Sequence, residues 1–245
     1  MRNIRMKLAY EGSRYQGWQK QESSENTIQG KLELLISRMC GEEISVQGSG
    51  RTDAGVHALE QVANFHTNST MPVEEMLHYM NHYLPEDIAV LELTEVAERF
   101  HSRLNACGKC YSYRIWNSAI PNVFYRRYSY TVPQQLDISA MKRATEYLCG
   151  EHDFKSFTSA KKGKKSTVRR IDSIEILKEG DLLTFRFEGN GFLYHMVRIL
   201  VGTLLEVGKG ERTPESIEQL IQAENRELAG GLVPGKGLTL EKVYY

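Results

Sequence analysis

Gly48-Ser49-Gly50-Arg51-Thr52-Asp53-Ala54-Gly55-Val56-His57-Ala58 sets one arginine and one aspartate among three glycines. Glycine frees the backbone and lets another molecule come close, so a charged pair placed between glycines is aimed at something. As chemistry, Asp53 is a candidate nucleophile, general base or metal ligand. As structure, it is a turn aspartate in a salt bridge. Ile44 to Gln47 reads as a strand running into the stretch and Gln61 to His66 as a strand leaving it, which puts Asp53 in the connection between two strands.

Working outward, Met6 to Tyr10 reads as a first strand, followed by Glu11 to Gln19, a loop of basic, amide and aromatic residues punctuated by glycine. Such a loop can stack on bases and touch phosphates, or it is a surface turn with Trp18 folded inward. Ile28, Leu32, Leu35, Ile36 and Met39 recur at helical spacing, with Asn26 as N-cap, Gln29 at the capping-box position and Gly41 as stop. Val73, Met76, Leu77 and Met80 mark a second helix ended by Pro85, and Ile88 to Leu93 returns as a strand. The first half thus reads β-α-β-β-α-β.

The second half repeats that order. Tyr111 to Trp116 alternates as a strand, and Asp137 caps a helix through Ile138, Met141 and Leu148 with Gly150 as stop. Strands over 170–177 and 182–187 join across Gly180-Asp181, and Tyr194 to Val207 is apolar almost all round, which marks a buried helix. Thr213-Pro214-Glu215 begins another helix, and Leu238 to Tyr245 closes the chain as a strand. The expected fold class is α+β: two similar β-α-β-β-α-β halves, residues 1–105 and 106–245, with sheets side by side and a central active-site cleft.

A chain of 245 residues buries a sizeable core. Its 31 Lys and Arg balance its 31 Asp and Glu, so a polyanion must be held by a local patch rather than by the field of the whole molecule. The dense basic block is 161–170, in which Lys161, Lys162, Lys164, Lys165, Arg169 and Arg170 concentrate six cations in ten residues. Its bland meaning is a solvated loop. In a chain without net charge, phosphate contact explains it better, with Arg14, Arg126, Arg127, Lys142 and Arg143 as possible extensions.

Met1 to Lys7 lacks the greasy centre of a secretory leader, and the apolar run from Ile199 to Leu205 is far too short to cross a bilayer. A reduced, cytoplasmic setting is therefore expected for Cys40, Cys107, Cys110 and Cys149. Cys107-Gly108-Lys109-Cys110 has zinc-ribbon spacing, but no second pair completes four ligands, and the spacing is read as chance. Arg198 falls inside the apolar helix, where a guanidinium needs a carboxylate partner. Asp53 is the natural candidate and would be held ionised by the pairing; Glu188 and Glu206 are structural alternatives.

The Asp53 stretch resembles the signature of the tRNA pseudouridine synthase A family, and further matches follow in order along the chain. They are Tyr10-Glu11-Gly12 with Gly17-Trp18-Gln19, Phe100-His101-Ser102-Arg103, Lys109 with Tyr111 and Tyr113, His152-Asp153-Phe154, and Gly189 to Phe192 continuing to Arg198. Ser49 stands where alanine is commoner, and Val233-Pro234-Gly235-Lys236-Gly237-Leu238 is a loose form of the family's Ala-Pro-x-x-Gly-Leu element. The resemblance implies isomerisation of uridine to pseudouridine at positions 38, 39 and 40 of the tRNA anticodon stem-loop. It makes Asp53 the catalytic nucleophile, lays Tyr111 against the target uracil, gives Arg51 a part in extruding the nucleotide and pairs Arg198 with Asp53. It also implies a homodimer, and neither metal nor organic cofactor.

These roles suit the reaction, because a base must leave its stack and stay trapped while its glycosidic bond is broken and remade through carbon. Tyr111 can stack on uracil, and its hydroxyl can relay the C5 proton. Asp53 can attack carbon, or strip a ribose proton. The chain lacks a P-loop or a Gly-x-Gly-x-x-Gly fingerprint, in keeping with a reaction that needs no energy input. Two rivals remain: a metal-dependent hydrolase using Asp53, His57 and His66 or His101, and a non-catalytic RNA-binding module.

Overall fold

A computed structural model describes residues 1–160 and 166–245; Lys161, Lys162, Lys164 and Lys165 of the basic block lie outside the described residues. The chain divides into two units, Met1–Cys107 with Thr239–Tyr245, and Gly108–Leu238.

The first unit runs β1 (Arg2–Tyr10), α1 (Ile28–Cys40), β2 (Gln47–Gly48), β3 (His57–Thr67), α2 (Val73–Tyr83) and β4 (Ile88–Val96), in the order the sequence pattern gives. β1 lies between β3 and β4 and is antiparallel to both. Ile4, Met6, Leu8 and Tyr10 alternate along it into the core. In α1 the five apolar residues at helical spacing form its buried face, and Gly41 ends it in the left-handed conformation, φ 70°.

Two local expectations differ. The α1 N-cap is Thr27, not Asn26: its hydroxyl accepts from Gly30 N at 3.2 Å, and Gln29 takes no part in a capping box. Gln29 instead donates to Glu33 and to the Val46 carbonyl, both at 3.0 Å. That bond explains the second difference, the shrinkage of the strand expected over Ile44 to Gln47 to the two residues of β2. The Val46 N–H donates to Glu33 and the Ile44 N–H to Ser37, so side chains of α1 satisfy backbone groups that a strand would offer to a neighbour.

The second unit contains β5 (Gly108–Trp116), β6 (Tyr130–Thr131), α3 (Ile138–Glu146), β7 (Gly150–Asp153), β8 (Val168–Glu179), β9 (Leu182–Gly189), α4 (Met196–Gly208) and α5 (Ser216–Ala223). It keeps the expected order β5-α3-β8-β9-α4-α5 and adds β6 and β7. The antiparallel path is β5-β9-β8-β7, with β6 parallel to β5. Asp137 caps α3 by accepting from Ala140 N at 2.9 Å. Gly150, expected to stop that helix, opens β7 instead, because α3 has already ended at Glu146. α4 is buried almost all round, as its composition demands, but starts at Met196 because His195 adopts φ 65°.

Residues from 239 onward do not close the second half. In β10 (Leu238–Tyr244), Thr239 and Leu240 pair in parallel with His57 and Ala58 of β3, and Tyr244 accepts from Cys107 N at 2.9 Å. Parallel pairing needs only a return of the chain from elsewhere, so local sequence order does not reveal it. Among the described residues no helix is long and apolar enough to cross a membrane.

Candidate active site

Asp53 sits on the turn between β2 and β3, half-buried, with Arg51 exposed and Thr52 buried beside it. The turn is clamped from one side by the loop that follows β1. Trp18 N donates to Thr52 O at 2.9 Å, and Gly55 N to Tyr15 O at 3.2 Å. Within the turn, Val56 N closes onto Asp53 O at 3.2 Å. Underneath, the Tyr10 hydroxyl shares a 2.8 Å hydrogen bond with Thr52 Oγ1, while Gln61 donates to Gly50 O at 3.2 Å and accepts from Ser49 Oγ at 2.7 Å. Burial pushes the Tyr10 phenol up to about 12, against the opposing effect of its Thr52 and Gln61 hydrogen bonds, so it stays protonated in this network.

The clamp depends on glycine where backbones nearly touch. Gly17 has φ 91°, and a Cβ there would lie 2.6 Å from Thr52 O; one on Gly12 would lie 2.0 Å from Val56 O. A Cβ on Gly48 would strike the Trp18 indole at 2.6 Å. Trp18 is 2% exposed, which resolves the two readings of the Glu11 to Gln19 loop: the indole buttresses the Asp53 turn and does not stack on bases. Arg14 is paired with Asp87, Nε to Oδ2 at 2.9 Å, with its side chain largely exposed.

His57 does not stand ready as a ligand. Its Nδ1 accepts from Gly12 N at 3.0 Å, and since that lone pair is taken, the 3.3 Å approach of Glu11 Oε1 is not an ion pair. Among the described residues no group of three or more His, Cys, Asp or Glu side chains could hold a metal ion. Arg51 forms neither a hydrogen bond nor an ion pair among the described residues. An exposed guanidinium two residues from a half-buried carboxylate is available to a polyanion.

In the second unit Tyr111 is on β5, opposite Phe187, and 8% exposed; the Phe192 ring meets it edge to face at 5.3 Å. Arg198 corrects an expectation. It is half-buried in the first turn of α4 rather than sealed inside the helix, and its Nε donates to Val233 O at 2.8 Å. A cation at a helix N-terminus meets the positive end of the dipole, at a cost of about 0.5 kcal/mol, so helix stability does not account for its placement. The two acids named as structural alternatives are held by other arginines, Glu188 by Arg186 at 2.8 Å and Glu206 by Arg212 at 2.9 Å.

Of the basic block, Arg169 is half-buried, with its guanidinium donating to Ser166 O and Val168 O, and Arg170 is exposed and paired with Asp172 at 2.7 Å. Sequence reasoning missed Tyr10, Thr52, Gln61 and Gly17 as supports of the turn. Their signal lies in the glycines and aromatics of the first loop, which carry the resemblance without disclosing what they hold.

The sequence matches the family described as tRNA pseudouridine synthase over residues 7–105 and 144–245. It is 49% identical over 245 residues to the tRNA pseudouridine synthase A 1 of Clostridium tetani, covering 100% of both chains. It is 44% identical to the tRNA pseudouridine synthase A 2 of Bacillus cereus (strain ZK / E33L), again over 100% of both chains. With a clamped aspartate turn in one unit, a buried tyrosine and a helix-terminal arginine in the other, and full-length similarity of this degree, the chain belongs to the tRNA pseudouridine synthase family.

Proposed function

We propose that this enzyme isomerises uridine to pseudouridine in the anticodon stem-loop of tRNA, at positions 38, 39 and/or 40. Asp53 is the catalytic carboxylate, Tyr111 stacks on the target base, Arg51 helps extrude the nucleotide, and Arg198 is the cation of the same reaction. The observation that carries this reading is the clamp on the Asp53 turn. A carboxylate fixed in place before substrate arrives need not be ordered during the reaction, which is how positioning lowers a barrier.

The reaction breaks the bond between ribose C1′ and uracil N1 and forms one between C1′ and C5. The proton lost from C5 is balanced by one gained at N1, so no atom or electron enters or leaves. Tyr111 is suited to take the C5 proton or pass it to solvent. The reading requires no cofactor, and it puts the enzyme with its substrate in the cytoplasm.

Incubating the purified protein with unmodified tRNA transcripts and mapping pseudouridine base by base tests the proposal. Modification at 38, 39 or 40 supports it; tRNA binding without pseudouridine makes the protein a binding module instead. Pseudouridine elsewhere favours a paralogue with a shifted target, a reading that gains support from Clostridium tetani, whose tRNA pseudouridine synthase A 1 and A 2 are both similar to this chain.

The same reading includes a homodimer, supported by an exposed apolar group in the segment after β5. Ile120 is 78%, Val123 60% and Phe124 87% exposed, an arrangement that marks interaction surfaces when the residues cluster. Asn122 Oδ1 accepts from the Phe124 and Tyr125 N–H groups at 3.0 and 3.2 Å, so the apolar side chains are presented by an ordered turn. Phe124→Asp is expected to convert a dimer to a monomer in sedimentation velocity; a wild-type monomer at working concentration would contradict the reading.

A further inference from the structure

Two successive carbonyls in the segment before β10 are used by two different side chains of the second unit. Val233 O accepts from Arg198 Nε at 2.8 Å, and Pro234 O accepts from the Tyr113 hydroxyl at 2.8 Å. Tyr113 is fully buried on β5, two residues from Tyr111. Three residues on, Gly237 passes so close to the Tyr113 ring that a Cβ there would lie 2.6 Å from its Cζ, and 3.0 Å from Arg114 O. The strap from Val233 to Gly237 is therefore held at one end by a hydroxyl and at the other by contact with the ring of the same tyrosine.

We infer that Tyr113 is a positioning residue for Arg198, acting through the Val233–Pro234 strap. Nε is the inner nitrogen of the guanidinium, and a hydrogen bond there fixes the rotation of the whole plane, so its Nη edge is aimed in one direction. Were the strap to drift, Val233 O would carry Arg198 with it. The Tyr113 hydroxyl prevents that by holding the next carbonyl. Burial pushes the Tyr113 phenol well above its ordinary value, against the lowering effect of the Arg198 charge, so it remains a proton donor throughout the working range. Pro234, at φ −56° and ψ 145°, stiffens the link between the two carbonyls.

This inference rests on the reading of Arg198 as the cation of the reaction, and a double-mutant cycle separates the two. Arg198→Lys alone tests the reading: unchanged turnover on tRNA would remove Arg198 from the chemistry. Tyr113→Phe removes one oxygen and keeps the ring. It is expected to lower kcat about tenfold while KM for tRNA stays within about twofold.

In the Arg198→Lys background the same change is expected to cost less than about twofold, since the plane it aims is gone. A merely structural tyrosine would multiply its own factor in both backgrounds, and that result overturns the inference. The Arg198 Nε–H resonance supplies a second readout: in Tyr113→Phe it is expected to shift and exchange faster, and an unmoved resonance counts against the idea. Should Tyr113→Phe fold poorly, Pro234→Ala keeps both carbonyls while loosening the link and is expected to give the same loss confined to kcat, about threefold; an unchanged kcat refutes the strap.

Discussion

Replacing Asp53 with alanine is expected to lower the rate of pseudouridine formation by about 10⁴-fold or more, while tRNA binding and the melting temperature stay close to those of the parent. The expectation of an intact fold comes from how the turn is held. Among its fixed points are the backbone groups of Thr52, Asp53, Gly55 and Val56, with the side chains of Tyr10, Thr52 and Gln61 beneath them. A change at a half-buried turn residue in such a frame costs about 1 kcal/mol or less. Single-turnover assays on an anticodon stem-loop, with filter binding alongside, check both halves. Residual turnover near the parent rate would remove Asp53 from the chemistry, and lost binding would make it a recognition residue.

The second large effect is expected from Gly12→Ala, far smaller on paper than removing a charge. The added methyl would lie 2.0 Å from Val56 O, 2.6 Å from Val56 C and 3.1 Å from Val56 N. All three are backbone atoms, so no side chain can swing aside. Relief requires moving the segment that closes the Asp53 turn, at a cost of about 3 kcal/mol and a fall in Tm of about 8 °C. Because Val56 N bonds Asp53 O, activity is expected to drop even at temperatures where the variant remains folded. Gly41→Ala is the control: at φ 70° with no atom within 4 Å of the new Cβ, it costs about 1 kcal/mol and leaves turnover unchanged. Equal melting temperatures for Gly12→Ala and the parent would show that the Val56 backbone yields to the added methyl without cost, against the expectation.

What could be read from the sequence was whatever is written locally. Apolar spacing in α1, the αL glycine at 41, the aspartate cap at 137 and the turn at Gly180 are each decided within a few residues, and each is present in the structure. The aspartate turn was legible for the same reason, since three glycines around one Arg and one Asp form a local signal. What escaped was decided at a distance. Tyr10 and Thr52 are forty-two positions apart, and no periodicity joins them. Ile44 and Val46 look like strand residues, but side chains of α1 take their backbone groups, so β2 is shorter than the pattern suggests. The apolar neighbours of Arg198 suggest burial, but the αL residue at 195 starts the helix late and leaves the arginine in the opening turn.

The parallel partnership of Thr239 and Leu240 with His57 and Ala58 has a bearing on how the molecule is made. The strand that leaves the aspartate turn obtains this neighbour only after the ribosome has delivered residues 239 and 240. Until then that strand keeps one edge open, the kind of edge on which unwanted pairing occurs. A product cut before residue 239 would carry every residue named here for the chemistry and still lack the parallel neighbour of the strand that follows the aspartate turn.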